Sequence, residues 1–223
     1  MKLFVSALLV LSTLTSFSQK PIEKTIGEFT ELKVYDLIEV EMIKSNENKV
    51  IISGKNNEDV LVNNKNGKLK IKMNLESIFN GDDTKVELYY TNVDVIDGNE
   101  GSKIHSKDVI KQFELDLKTQ EGAEITAVLK TSYANFRAVT GGTIIITGSS
   151  KNQDISIYTG GVFNGEEFIT ERTEVSVNAA GEAYINATVR AEVRVKAGGD
   201  VFIYGNPKEV DESRVLGGRI KRM

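Results

Sequence analysis

The sequence predicts an all-β protein built as a parallel β-helix, a solenoid with coils of about 20 residues. Three observations predict it. A short sequence motif recurs every 18 to 21 residues from Glu100 onward, and glycine is present in each copy of the motif. Apolar residues keep a nearly constant spacing from the start of each copy. The anchors of the repeat are spaced by 21, 21, 19, 20, 18 and 19 residues; they are Glu100, Glu121, Gly142, Gly161, Gly181, Gly199 and Gly218. Each repeat therefore predicts one coil of a solenoid.

Apolar and polar residues alternate on both sides of each anchor, which turns one side chain in two toward a shared core. The predicted inward positions include Ile125, Ile144, Ile157, Val177, Ile185, Val195, Val201 and Ile203. Glycine at the restart suits a corner where φ is positive or where two backbones approach closely. One coil cannot bury its own apolar face, so several stacked coils are needed for stability. An antiparallel β-sandwich, with hairpins that recur at the same spacing, is the alternative fold.

Residues 1–18 read as a signal peptide. A lysine, an apolar run over residues 3–14 and small residues at Ser16 and Ser18 precede an expected cut before Gln19. The apolar run is too short for a membrane span. The chain has no cysteine, which excludes disulfide staples and a lipid on a cysteine after the cut. We therefore expect an exported chain in the periplasm, at the cell surface or secreted, with no transmembrane segment in its mature part.

Residues 19–223 are predicted to form a single β-helical domain, which is less regular over 22–96 and has regular glycine-anchored coils over 97–222. Strand alternation is also visible in the first part, but polar turns rich in Asn and Gly replace the anchors there. No proline-rich or low-complexity linker divides the two parts, and the only prolines are Pro21 and Pro207. The mature length suffices for one domain with a sizeable core.

The chain is mildly acidic, with 28 Lys and Arg against 32 Asp and Glu and a formal net charge of −4. These charges are dispersed along strands, whereas nucleic-acid binding requires clustered basic residues, so no nucleic-acid partner is expected. The C-terminal tail is the only cluster of basic residues that the sequence suggests; it contains Arg214, Arg219, Lys221 and Arg222. We interpret it as the solvated end of the last coil, which caps the stack.

Few residues could support catalysis or metal binding. The single His105 has no Ser and Asp partners in a nucleophile elbow, and the sequence contains no phosphate or dinucleotide loop. We therefore expect no catalytic residue, no cofactor and no enzyme activity. Carboxylates at Asp82 and Asp83, and at Asp94 and Asp97, could offer oxygen ligands to calcium, but neither pair matches an EF-hand or a calcium-binding nonapeptide. Polar turns are the simpler interpretation of both pairs.

Four tyrosines that recur in successive coils form the candidate binding face: Tyr133, Tyr158, Tyr184 and Tyr204. Their offsets from the anchors differ, so a continuous ladder of rings does not follow from the sequence. Exposed tyrosines could stack on sugar rings or pack against a partner protein, because each ring combines apolar area with a hydrogen-bonding tip. In the alternative interpretation, these tyrosines bind no ligand and only cover the outer surface of the sheet with amphipathic side chains.

Several short sequence segments, taken in their order along the chain, resemble a known protein family. They begin with Phe29-Thr30-Glu31-Leu32-Lys33-Val34, continue through Val86-Glu87-Leu88-Tyr89-Tyr90 and Glu121-Gly122-Ala123, and close with Gly199-Asp200-Val201-Phe202-Ile203-Tyr204-Gly205-Asn206-Pro207. In this order they resemble the family described as putative auto-transporter adhesin, head GIN domain, over essentially the whole mature chain. The resemblance implies a single-stranded right-handed β-helix in exported proteins of Gram-negative bacteria. In one departure, Gly-Ile-Asn is not contiguous here, and the nearest run is Gly181-Glu182-Ala183-Tyr184-Ile185-Asn186.

We expect an exported, non-enzymatic protein of the cell envelope or cell surface that presents an extended binding face to a protein or glycan, in keeping with the adhesion that the resemblance implies. Two alternatives stay open. A carbohydrate-active lyase or hydrolase would require a converging pair of carboxylates in a groove. A structural envelope protein that assembles end to end would require an uncapped terminal coil, because an exposed strand edge invites pairing.

Overall fold

The computed structural model describes residues 20–223, so the predicted signal peptide and its cleavage site lie outside the described residues. These residues form 19 β-strands and one short 3-10 turn, Asn57–Asp59. The first nine strands are β1 (Ile22–Thr25), β2 (Glu31–Val34), β3 (Glu39–Lys44), β4 (Lys49–Gly54), β5 (Val60–Lys65), β6 (Lys68–Met73), β7 (Thr84–Tyr90), β8 (Val95–Gly98) and β9 (Lys103–Ser106). The others are β10 (Ile110–Lys111), β11 (Glu114–Thr119), β12 (Glu124–Lys130), β13 (Tyr133–Val139), β14 (Thr143–Tyr158), β15 (Val162–Asn178), β16 (Glu182–Val195), β17 (Asp200–Tyr204), β18 (Glu209–Arg214) and β19 (Arg219–Arg222).

The strands stack into two continuous sheets around one core. The first sheet runs β5, β6, β2, β8, β11 and β13, then the second halves of β14, β15 and β16, and ends with β18. The second sheet runs β1, β4, β7, β3, β9 and β12, then the first halves of β14, β15 and β16, and ends with β17 and β19. From β6 and β7 onward all pairing along these stacks is parallel, which confirms the solenoid and excludes the antiparallel sandwich.

The register gives the length of each coil. Ile104, Ile125, Ile144 and Phe163 occupy the same position in four successive coils, at spacings of 21, 19 and 19 residues. The solenoid has about seven turns. All eight predicted inward side chains are at most 2% exposed. The alternation in the sequence therefore identified the core correctly. No helix among residues 20–223 is long and apolar enough to span a bilayer.

Each regular coil turns one corner with residues in the left-handed conformation. At Glu121 and Gly122 φ is 54° and 75°, and a backbone hydrogen bond of 3.1 Å closes the turn. Positive φ at both central residues defines a type I′ turn, which favours glycine. The residue that follows the turn has a different constraint: a Cβ on Gly161 would lie 2.4 Å from the carbonyl oxygen of Ala138 in the preceding coil. The paired glycines of the repeat thus meet two separate needs, a positive φ and a close approach between coils.

The N-terminal coils are not stacked in sequence order. Strand β2 lies between β6 and β8, and β3 lies between β7 and β9. The connection from β7 to β8 therefore skips the coil formed by β2 and β3. Antiparallel strands lie outermost at this end, with β5 beyond β6 and with β4 and β1 beyond β7. The edge of the stack at this end is therefore formed by the antiparallel strands β5 and β1 and not by a parallel coil.

The last coil, β18 and β19, places charged side chains where earlier coils have apolar ones. Glu212 pairs in register with the buried Val193, and Arg222 pairs with the buried Ile203. The Arg222 guanidinium donates to Oε1 of Glu212 at 2.8 and 3.1 Å. Inward-pointing charges at an edge disfavour the addition of a further strand. This geometry supports the interpretation of the basic tail as a cap and speaks against end-to-end assembly.

Removing this ion pair is expected to promote self-association. In the double variant Glu212→Val, Arg222→Val the apolar core would extend to an open strand edge, which templates further strands. Sedimentation velocity should show larger, concentration-dependent species for this variant than for the wild type. The matched control, Asp211→Val with Lys221→Val, removes one acid and one base from outward positions of the same coil. Equal association of the two double variants would show that the inward charges have no protective role.

Candidate binding face

The outer surface of the first sheet is the candidate functional site. Outward side chains from successive parallel coils form columns with a spacing of about 4.8 Å. One column, the acidic column, contains Asp116, Asn135, Asp154, Glu174, Glu192 and Asp211. Its neighbour, the mixed column, contains Glu114, Tyr133, Asn152, Arg172, Arg190 and Glu209. The repeat thus presents rows of planar polar groups at regular intervals along the solenoid axis.

An exposed aromatic pair lies near the start of the mixed column. Residues Phe113 and Tyr133 are 68% and 45% exposed, and their ring centroids are 5.3 Å apart with a tilt of 52°. The Tyr133 N–H donates to the Phe113 carbonyl at 2.9 Å, which fixes the two residues relative to each other. Aromatic rings that stay exposed while they pack on each other offer apolar area to a ligand.

Two depressions adjoin this aromatic pair. The first has a volume of about 300 Å³ and is lined by Tyr133, Ala134, Asn135, Asn152, Gln153, Asp154, Arg172 and Glu174. The second, on the preceding coils, has a volume of about 420 Å³ and is lined by Asn92, Asp94, Val95, Gln112, Phe113, Glu114 and Asp116. We name the aromatic pair together with both depressions the aromatic groove. It crosses several coils and is open along its length.

Hydrogen bonds organise the groove and leave donors and acceptors available. The Asn135 amide donates to Oδ1 of Asp116 at 2.8 Å and to Oε1 of Glu114 at 3.1 Å, so it ties two neighbouring coils together. Partial desolvation raises the pKa of the Asp154 carboxyl, and the Arg194 guanidinium opposes that shift only in part. Arg172 lines the first depression as a hydrogen-bond donor, and Asp154 and Glu174 line it as acceptors. The groove can therefore both donate and accept hydrogen bonds.

The four tyrosines of the predicted binding face lie on two different sheets. Tyr133 and Tyr158 are on the first sheet but in different columns. Tyr184 and Tyr204 are on the second sheet, where Tyr184 stacks on Phe202 with ring centroids 4.8 Å apart. The structure therefore brings Tyr133 into the aromatic groove and places the other three tyrosines away from it.

The carboxylates considered for calcium do not converge. Asp97 accepts a hydrogen bond from the Lys33 ammonium at 2.5 Å, and Asp94 lines the second depression. Asp82 and Asp83 lie in the turn before β7. Across residues 20–223 no group of three or more His, Cys, Asp or Glu side chains is arranged to hold a metal ion. Geometry thus gives the calcium hypothesis no support.

The sequence did not single out Phe113, Asp154 and Arg172, which the structure places in the aromatic groove. Each looks like an ordinary outward residue until the register places it beside its neighbours from other coils. The tail is also not the only basic concentration, because the β5–β6 hairpin gathers lysines on its outward face: Lys65, Lys68, Lys70 and Lys72. Their alternation over eight residues was a visible signal for this second cluster.

Residues 28–207 match the family model described as putative auto-transporter adhesin, head GIN domain. A solved structure of a putative adhesin from Bacteroides fragilis is similar with a TM-score of 0.84 at 17% identity, covering 92% of this chain and 98% of that one. A putative adhesin from Parabacteroides distasonis gives 0.69 at 17% identity, covering 92% and 96%. A putative lipid binding protein from the same species gives 0.67 at 13% identity, also covering 92% and 96%. These likenesses show the fold, and no curated protein matches the chain.

The family match begins at Glu28 and ends at Pro207, shortly before β18. It therefore includes strands β2 to β17 of the two sheets and the whole aromatic groove, while β1, β18 and β19 lie outside it. Auto-transporter adhesins are exported, so the match indicates an exported protein, while cleavage before Gln19 stays a prediction. The chain belongs to the putative auto-transporter adhesin, head GIN domain family.

Proposed function

We propose that this protein is a non-enzymatic binding protein of the cell envelope or surface whose aromatic groove holds an extended glycan chain. The observation that carries the proposal is the exposed Phe113–Tyr133 pair between two depressions lined by amide, carboxylate and guanidinium groups. Aromatic faces offer apolar area to sugar rings, and planar polar side chains match the donors and acceptors of sugar hydroxyls. A linear chain that crosses the coils would meet such groups repeatedly.

An adhesive role follows from the open, repetitive shape of the groove. It does not enclose a small ligand, so affinity for a single sugar should be low. Many weak contacts with an arrayed polymer give high avidity when they form together. The description of the family as adhesins supports this role.

Glycan cleavage is a second candidate function, favoured by one observation. Asp154 lies in the groove with a raised pKa, as a general acid requires, and Glu174 is its neighbour in register. Glycosidases, however, place two carboxylates on opposite sides of the scissile bond. Asp154 and Glu174 project from adjacent strands of one sheet surface, so both would approach a bound chain from the same side. Binding without cleavage therefore fits the geometry better.

Replacing Tyr133 with Ala is expected to weaken glycan binding by about tenfold, because the variant loses the stacking ring and exposes Phe113 alone. Affinity electrophoresis through gels that contain envelope polysaccharides measures this loss. The control is Tyr184→Ala, which removes an aromatic ring from the second sheet. Unchanged retention of Tyr133→Ala, or equal losses in both variants, would rule out the groove as the binding site.

The same polysaccharides distinguish binding from cleavage. After prolonged incubation with purified protein, size-exclusion chromatography should show glycans of undiminished length. Release of shorter chains that disappears in Asp154→Asn would favour the hydrolase or lyase function over the proposed one.

A further inference from the structure

We propose that the β5–β6 hairpin is a second binding site on the first sheet and that it takes a polyanionic glycan, a chain bearing repeated sulfate, phosphate or carboxylate groups. The proposal does not depend on the role of the aromatic groove. It rests on charge, register and spacing at the N-terminal end of the solenoid.

The hairpin concentrates positive charge that the described residues do not neutralise. Lys65 lies directly opposite Lys68 across the two antiparallel strands, and like charges in that position destabilise a sheet. Lys68 pairs with Glu31 at 2.8 Å. Within residues 20–223, Lys65, Lys70 and Lys72 have no carboxylate at salt-bridge distance. Three of the four cations are therefore available to an external anion.

One column of the second sheet shows how neighbouring coils can compensate a lysine. Along one column of the second sheet, Lys85, Glu39, Lys103 and Glu124 alternate in sign from strand to strand. Opposite charges that face each other across strands stabilise a sheet, and this arrangement is available to any outward position. The outward positions of the hairpin contain no acidic residue, so Lys65 and Lys68 face each other without this stabilisation and the ammonium groups stay open to a negatively charged ligand.

The hairpin also provides a shaped and rigid surface. A depression of about 320 Å³ is lined by Asn63, Lys65, Asn66, Lys68 and Lys70, so two amides lie among the ammonium groups. The inward side of the hairpin is anchored in the core through Val60, Leu69 and Ile71, which are at most 1% exposed. A fixed backbone reduces the ordering cost of binding to that of the lysine side chains.

The spacing of the lysines favours a polymer over a free anion. Lys68 and Lys72 are four residues apart on one strand, which places their Cα atoms about 13 Å apart. One phosphate or sulfate reaches only neighbouring ammonium groups, whereas a chain with charges on successive units engages all of them. The outward positions of the hairpin present a single large apolar residue, Leu61, so the hairpin lacks the apolar face with which a peripheral protein enters a bilayer.

Dextran sulfate and uncharged dextran of the same length are the probes, because they differ only in charge. The test variant combines Lys65→Gln, Lys70→Gln and Lys72→Gln, and it leaves the Lys68–Glu31 pair intact. The control combines Lys107→Gln, Lys151→Gln and Lys208→Gln, three exposed lysines scattered over other coils. Both variants change the net charge equally. Biolayer interferometry with the immobilised mature protein measures binding, and melting curves confirm that both variants are folded.

We expect the wild type to bind dextran sulfate but not dextran, with an affinity that falls as salt is added. The test variant should lose about tenfold or more, while the control stays within about twofold. Tyr133→Ala should keep its affinity for dextran sulfate, which separates this site from the groove. Equal losses in the two triple variants, no binding by the wild type, equally tight binding of inorganic phosphate, or a preference for anionic lipid vesicles over dextran sulfate would overturn the proposal.

Discussion

Ile157→Asp is expected to lose most of the folding stability of the protein. The Ile157 side chain is fully buried and lies between Ala138 and Val177 of the adjacent coils, near the middle of the stack. A carboxylate buried there without a partner costs several kcal/mol, compared with about 5–15 kcal/mol for the whole stability of a domain. Because each coil of a solenoid contacts only its neighbours, a defect in a central coil also uncouples the coils on its two sides.

Urea unfolding of the mature chain, followed by circular dichroism, measures the loss. The control Ser156→Asp adds the same charge one residue away on the outer face, where we expect a change of less than about 1 kcal/mol. Val195→Asp should be milder than Ile157→Asp, because Arg214 in the charged last coil is its neighbour in register and can pair with the new carboxylate. Equal stabilities of Ile157→Asp and Ser156→Asp would contradict the inward assignment.

The inward positions could be predicted although the anchors from Gly142 onward lie two residues past the positions equivalent to Glu100 and Glu121. The turn at Glu121 and Gly122 has its equivalent at Thr140 and Gly141, where φ is again positive, and not at Gly142. Anchoring the repeat on Gly142 therefore shifts that coil and the later ones by two residues relative to the first two. A shift of two preserves the alternation of a strand, so every inward residue stays inward, whereas a shift of one would have inverted the faces.

The same two-residue slip explains why the binding face was harder to predict than the core. Which outward residues share a column depends on the true register between coils. An alignment error of two residues keeps each outward residue on the outer face but assigns it to the neighbouring column. Phe113 and Tyr133 meet because Glu114 pairs with Tyr133 in the next coil. An alignment anchored on Gly142 opposes Leu115 to Phe136 instead of to Ala134. The aromatic groove therefore became visible only with the strand pairing.

The order of the N-terminal coils has no local signal in the sequence. Alternation shows which side chains of β2 and β6 face the core, but it does not show which strand lies beside which. Sequential strands usually lie next to each other, and that tendency fails here because β2 is enclosed by the later strands β6 and β8. The hairpin turn at Asn66 and Gly67, with φ of 54° and 75°, is the local feature of this region that a sequence does specify.

Gly161→Ala is expected to destabilise the protein more than Gly160→Ala, although Gly160 is the residue with positive φ. Gly160 has φ of 75° with no atom within 4 Å of an added Cβ, so alanine there costs roughly 1–2 kcal/mol of backbone strain. An added Cβ on Gly161 would instead lie 2.4 Å from the Ala138 carbonyl oxygen and 2.6 Å from its carbon. These atoms belong to the backbone of the preceding coil and cannot rotate away.

Relief of that contact requires the two coils to separate locally, which strains the 2.9 Å hydrogen bond from the Val162 N–H to the Gly142 carbonyl. We expect a loss of about 3 kcal/mol or more for Gly161→Ala, at the upper end of overpacking effects. Urea unfolding of the two single variants under identical conditions gives the comparison. If Gly160→Ala proves the more costly variant, positive φ rather than the approach of neighbouring coils governs the glycine doublets. The expected order means that, at the Gly160–Gly161 doublet, the close approach of the preceding coil constrains the sequence more strongly than the positive φ does.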